Sequence, residues 1–210
     1  TVRAELVRRN ERIDCVNVKM GIREFSVDPE KGFLLNGIPT PLRGVSRHQD
    51  RLCVGSALTR EQNLEDAALI REIGANTVRL AHYQHSQDFY EACDAMGFVV
   101  WAEIPFISRM SGNPAAHENC ILQLKELILQ NYNHPSICFW GISNEITIGG
   151  DSPQLHRNLR ELNDLAHAMD STRLTTMAHI SMLEPDNEQV YLTDVMSYNH
   201  YFGWYGGKLT

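Results

Sequence analysis

From Leu42 onward, short apolar runs alternate with longer amphipathic segments at a near-constant spacing, and this cadence constrains the fold more than any other feature. The runs are Leu42 to Val45, Thr77 to Ala81, Phe98 to Ile104, Ile137 to Ile142, Leu174 to Ala178 and Val195 to Tyr198. They read as buried strands. Between them, Thr59 and Gln62 form a capping box ahead of Leu64, Ala67, Ala68 and Ile70 at helical spacing, and Gly74 stops that helix. A second helix is expected over Ser86 to Met96, ending at Gly97. Two more are expected around Glu118 to Tyr132 and Ser152 to Met169, where Leu recurs at three- and four-residue intervals. Strands alternating with helices make βαβ units and a parallel sheet. The strand starts recur about every 31 residues, the cadence of an α/β (β/α)8 TIM barrel of ~250 residues. A doubly wound open sheet is the competing arrangement, although no Gly-x-Gly-x-x-Gly or phosphate loop follows any run. On this count the barrel is expected to be truncated after about six strands.

Residues 1 to 30 read differently. Ile13 to Met20 alternates apolar and polar residues, the pattern of a half-buried antiparallel strand. Residues 1–30 are therefore expected to be the C-terminal end of a preceding β-sandwich domain, and residues 31–210 the first six βα units of the barrel domain. Asn36-Gly37, between Phe33-Leu34-Leu35 and Ile38, signals a two-residue hairpin turn. With 43% hydrophobic residues, a chain of 210 can fill a core. A net charge of -7 opposes nonspecific phosphate binding and supplies no basic tract, so neither nucleic acid nor a membrane is an expected partner. No run reaches the ~18 apolar residues of a membrane span. Thr1 to Glu5 shows no signal peptide, although the chain opens without Met. The five cysteines, odd in number and without a Cys-x-x-Cys pair, are read as reduced and mostly buried. That favours a reducing compartment such as the cytoplasm. Homo-oligomerisation is left open.

In such barrels catalytic groups sit at the C-terminal ends of the strands. Those ends read Ser46-Arg47-His48-Gln49-Asp50, Arg79-Leu80-Ala81-His82-Tyr83, Ala102-Glu103-Ile104-Pro105, Ser143-Asn144-Glu145, Ala178-His179 and Tyr198-Asn199-His200-Tyr201. Hydrogen-bonding groups mixed with aromatic platforms suit a sugar site. Glu145 follows the apolar run Phe139 to Ile142, so its carboxyl is expected at the mouth beside Asn144. There Asn144 can bond the hydroxyl next to the reacting carbon while Glu145 protonates the leaving oxygen. Trp140 and neighbouring aromatics are expected to enclose Glu145. His48, His82, His179 and His200 end strands and are candidate ligand contacts. His117, His134, His156 and His167 fall on or beside helices as surface or packing residues. No His-x-His pair is present, and no metal or cofactor is expected. Glu103 reads as a structural carboxylate paired with an arginine such as Arg79. Trp204 and Tyr205 stand in a glycine-rich loop, where aromatics stack on ligands.

Five collinear segments carry a resemblance over nearly the whole chain. Gly32-Phe33-x-Leu35-Asn36-Gly37, Arg43 to Asp50, Asn76 to Tyr83, Asn133-His134-Pro135-Ser136 and Trp140 to Glu145 closely resemble glycoside hydrolase family 2. The Arg-His-Gln-Asp segment and Ser197 to Gly207 look more like β-galactosidases than β-glucuronidases, which usually show Lys-His-Glu-Asp at the first motif. The resemblance implies hydrolysis of terminal β-galactosides by a retaining double displacement. Glu145 matches the acid/base and Asn144 the residue on the sugar 2-hydroxyl. His48, Arg79, His82 and Tyr201 match positions that line the pocket or orient the carboxylates, and Asp50 and Trp204 are carried with them as substrate contacts. A β-glucuronidase, another family 2 glycosidase, or a carbohydrate-binding barrel without turnover is the alternative; bound metal would revive a metal-dependent hydrolase. The family's β-galactosidases place a magnesium-binding Glu and His after strand three, where Ile104 to Arg109 offers neither. The family's nucleophile is a Glu on strand seven, expected beyond Thr210. Glu184 and Glu188 lie in the loop after strand five and are no substitute, so the 210-residue chain alone is not expected to hydrolyse glycosides.

Overall fold

The computed structural model describes residues 1–204. Val2–Arg8 (β1) and Glu11–Val18 (β2) form an antiparallel hairpin. Its turn residues Arg9 and Asn10 have φ of 49° and 67°, the two left-handed positions of a turn that follows strand twist. Phe25–Asp28 (β3), Gly32–Leu35 (β4) and Ile38–Pro39 (β5) make a second antiparallel sheet. Asn36 and Gly37, at φ 51° and 76°, are the tight turn between β4 and β5 that the Asn-Gly dipeptide indicates. This small sheet straddles residue 30.

The main sheet is parallel and six-stranded: Gly44–Arg47 (β6), Thr77–Leu80 (β7), Val99–Glu103 (β8), Ile137–Asn144 (β9), Leu174–Ile180 (β10) and Val195–Asn199 (β11). Its strands lie side by side in chain order, each parallel to its neighbours. A doubly wound sheet would reverse that order at a switch point, so the barrel arrangement holds. Helices Arg60–Glu72 (α1), Gln87–Met96 (α2), Pro114–Asn131 (α3) and Pro153–Met169 (α4) connect the first five strands. The Thr59 box caps α1, and Gly97 ends α2 in the left-handed region at φ 72°. Two details differ from expectation. The third helix begins at Pro114, ahead of Glu118, because Asn113 caps it and proline fits the first helical position, where its missing N–H is no loss. Between β10 and β11, where the connection carries Pro185, only the 3-10 turn Glu188–Tyr191 forms among the described residues.

Two apolar clusters hold the sheet. Leu80, Phe89, Val100, Ala102, Leu124, Ile128, Trp140 and Leu159 fill the layer between strands and helices. On the inner face, Phe33 packs on Phe25 and Phe139 at 5.7 and 5.9 Å between ring centroids, beside Val99 and Cys138. Val99 starts β8 and Glu103 ends it, so the β3–β5 sheet covers the end opposite the strand C-termini, which stay open. All five cysteines are unpaired. Only Cys93 and Cys138 are buried; Cys15 and Cys120 are half-buried and Cys53 is exposed, so the expectation of mostly buried thiols is corrected. No helix among the described residues is long and apolar enough to cross a membrane.

Candidate active site

Arg79, on the inner face of β7, is the hub of the strand C-termini. Its Nε and Nη2 donate to the two oxygens of Glu103 at 2.9 and 3.0 Å, a fork-on-fork pair with a carboxylate whose side chain is wholly buried. Nη1 reaches Asn199 Oδ1 at 3.0 Å and Nη2 reaches Asn144 Oδ1 at 2.7 Å. His82 Nδ1 lies 2.5 Å from Glu103 Oε1. The expected Glu103–Arg79 pair is therefore present, and it also anchors His82. Glycine at 141 makes room for it: a Cβ there would overlap Trp101 Nε1 and Glu103 Cβ.

Glu145 leaves the end of β9 in the left-handed region, at φ 47°. Its N–H donates to the Ala178 carbonyl at 2.8 Å, and its Oε1 accepts from Asn199 Nδ2 at 2.8 Å. The same Nδ2 donates to Asn144 Oδ1 at 3.0 Å. Asn144 is fixed through its backbone as well, its N–H bonded to Phe106 and its carbonyl to Ser108. Arg79, His82, Glu103, Asn144, Glu145 and Asn199 thus form one polar wall drawn from four strands and the segments that end them. Asn199 is not singled out by sequence; it shares a strand face with Ser197 and with Val195, which packs into the inner apolar cluster.

The remaining candidates divide. His48 is exposed at the rim, its ring edge-on to His82 at 5.2 Å, and Asp50 is exposed in the same segment. Tyr201 and Trp204 are exposed beyond β11, and Tyr205 lies outside the described residues. Arg47 turns away from the mouth, bonding Asp66, Asn63 and His85 beneath α1. His179 is buried against Tyr198 at 5.3 Å, on the opposite face from Asn199, and burial pushes its imidazole down to about 4. It therefore contacts no ligand from the mouth. Trp140 does not enclose Glu145 either: its position in the β9 alternation sends it to the helix layer, where Nε1 donates to Asp170 at 3.0 Å. His117, His134, His156 and His167 each pair with a carboxylate away from the site. Glu184 and Glu188 stay in the β10–β11 connection, Glu188 near His156 and Arg160.

The segment Ile104 to Arg109 carries no carboxylate or imidazole, so its residues do not fit a magnesium site after β8. Chemically, the wall offers one partly exposed carboxyl, Glu145, beside an oriented amide, Asn144, with the other acid, Glu103, paired with Arg79 and hydrogen-bonded to His82.

Comparisons with known proteins bear on what such a wall does. Residues 26–208 match the profile described as "Glycosyl hydrolases family 2, TIM barrel domain". A β-glucuronidase of Bacteroides fragilis is 44% identical over 98% of the chain, and a β-galactosidase of Thermoanaerobacter pseudethanolicus is 34% identical over 99%. The chain spans 30% and 27% of those two proteins. The crystal structure of an FMN-binding beta-glucuronidase from Facaelibacterium prausnitzii L2-6 superposes with a TM-score of 0.95 at 57% identity, covering 98% of this chain and 32% of that one.

Proposed function

The chain belongs to glycosyl hydrolases family 2, as part of its TIM barrel domain, and from that membership we propose that the whole protein is a retaining β-glucuronidase with Glu145 as its general acid/base. The observation that carries the reading is the Asn144–Glu145 pair at the end of β9, held in place by Arg79 and Asn199. Asn144 Oδ1 accepts from both Arg79 and Asn199, which fixes the amide plane and leaves its NH2 to donate to the sugar 2-hydroxyl. Asn199 occupies Glu145 Oε1, leaving Oε2 to deliver the proton to the leaving oxygen. The attacking carboxylate is assigned to none of the described residues: Glu103 is wholly buried and both its oxygens are held by Arg79. A retaining mechanism needs a second carboxyl ~5 to 5.5 Å from the first, supplied by the rest of the protein. His48, Asp50, His82, Tyr201 and Trp204 are proposed to surround the sugar, and residues 1–30 to end a preceding β domain.

The choice of sugar departs from the β-galactoside expectation. Identity favours glucuronidases, 44% against 34%, and the 57% structure carries the same name. The Arg-His-Gln-Asp motif that suggested galactose begins with Arg47, which packs under α1 rather than against a sugar, so its identity reports packing. The test uses the whole protein with aryl β-glucuronides and aryl β-galactosides. The glucuronide should be preferred, and Glu145→Gln should lower kcat/KM about 10²- to 10⁴-fold with a poor leaving group, less with an activated one, with azide restoring the latter. Preference for the galactoside would overturn the sugar assignment. Equal losses on both leaving groups, unrescued by azide, would overturn the acid/base assignment.

A further inference from the structure

We propose that Trp101 is a positioning residue: its ring is the platform that holds the Arg79 guanidinium in the plane where it bonds Asn144 and Asn199. The inference rests on the glycosidase reading above and adds a residue to it. Arg79 Cζ sits 4.4 Å from the Trp101 ring centroid. Four of the five N–H groups of that guanidinium are directed in its plane to the two oxygens of Glu103, to Asn199 and to Asn144, with His82 Nδ1 3.4 Å from Nη2. In-plane bonds fix the group against sliding, yet they leave it free to tilt about the Glu103 fork. A tilt would carry Nη1, which lies outside the fork, off Asn199 and turn the second N–H of Nη2 away from Asn144. The Trp101 face blocks that motion and adds cation–π attraction.

Two further observations single out the ring. Trp101 Nε1 is buried without a hydrogen-bond partner, so the indole is not held here by its polar handle. An orphaned buried N–H is unfavourable, and a smaller apolar residue would avoid it; the aromatic face is what offsets the loss. Gly141, opposite Glu103 in the β8–β9 register, is the only residue type that leaves room for that ring, since a Cβ would overlap Trp101 Nε1. Sequence, glycine and orphaned donor therefore converge on one task, the support of Arg79.

The chemistry gives this role a signature that general loss of stability lacks. Arg79 reaches the reaction through Asn144, whose NH2 serves the sugar 2-hydroxyl. A substrate without that hydroxyl gains nothing from a well-held Asn144. In the whole protein, Trp101→Leu should therefore lower kcat/KM for an aryl β-glucuronide about 10- to 100-fold, chiefly through kcat. For the matching 2-deoxy glycoside the loss should be under about threefold. Trp101→Phe, which keeps a ring face, should restore most of the activity on the first substrate. Trp101→Met, similar in volume to Leu but unbranched and able to adapt to the gap, also lacks a ring and takes the place of the Leu variant if that one does not fold. Equal losses on the two substrates, or no loss on either, overturn the proposal, as does a Phe variant no better than Leu. If the wild-type protein cleaves no aryl glycoside, it is the functional reading that fails, which separates the two.

Discussion

Asn199 Nδ2 donates to both Asn144 Oδ1 and Glu145 Oε1, while its own Oδ1 accepts from Arg79, so a single amide ties the acid to the residue beside it. Removing it should loosen two groups at once. Asn199→Ala in the whole protein is expected to lower kcat on aryl glucuronides by about 10- to 100-fold, since misplacement by an ångström costs on that order. Stability should fall little, because the residue is half-buried and each net hydrogen bond contributes only about 1 kcal/mol. Steady-state kinetics beside a thermal melt read both, and unchanged kcat would remove Asn199 from the machinery. Glu145, Asn144, Arg79 and His82 were legible in the sequence because each ends an apolar run inside a motif. Asn199 was not, since Tyr198 to Phe202 offers five consecutive side chains able to bond or stack, and only the pairing of Ile180 with Asn199 settles which of them turns inward. Trp140 was misplaced for a related reason: proximity to Glu145 in sequence hid the alternation that sends it to the other face.

The end of α4 shows an element held by a buried brace. Asp170, its C-cap, accepts from Trp140 on β9, from Thr172 and from Arg173, whose guanidinium continues to the carbonyls of Tyr132, His134 and Ile137. Burial pushes the Asp170 carboxyl up, but the hydrogen bonds from Thr172, Arg173 and Trp140 outweigh it and hold the group at about 2. Because its folded value lies below the ordinary 3.8, its contribution is complete above about pH 4 and is lost as pH falls toward 2. Asp170→Asn should thus destabilise the protein at pH 7, by about 3 to 5 kcal/mol if Arg173 is left buried and unpaired. The gap to wild type should narrow as the pH drops below 4, as thermal melts across that range would record. A gap that stays constant down to pH 2 would refute the brace. At this scale the strands are legible in the sequence, because continuous apolar runs mark strands covered on both faces. The start of α3 was not, since its signal was an Asn-Pro cap rather than a Leu repeat, and the β10–β11 connection lacked any helical period to read.

Across the whole molecule, β6 bonds only β7 and β11 only β10 among the described residues, so the parallel sheet presents two unpaired edges. Cadence alone led to the barrel because successive strands are neighbours, which makes sequence order and spatial order the same. What cadence could not reveal is that the opposite end of the sheet is covered by β3–β5 through Phe25 and Phe33, a long-range packing that leaves no periodic trace. The edge rows of N–H and C=O groups are templates for another chain, and the inner face carries a site with one available carboxyl. Both features bear on the 210-residue chain expressed alone. It is expected to self-associate at micromolar concentration and to give no turnover of aryl glucuronides, since Glu145 can donate a proton but Glu103, clamped by Arg79 and His82, cannot attack the anomeric carbon. Light scattering tests the first half, and trapping with a 2-fluoro glycosyl donor followed by peptide mapping tests the second. Labelling of Glu103, or turnover near the rate of the whole protein, would mean that the clamp opens and that the described residues hold both carboxylates of a double displacement.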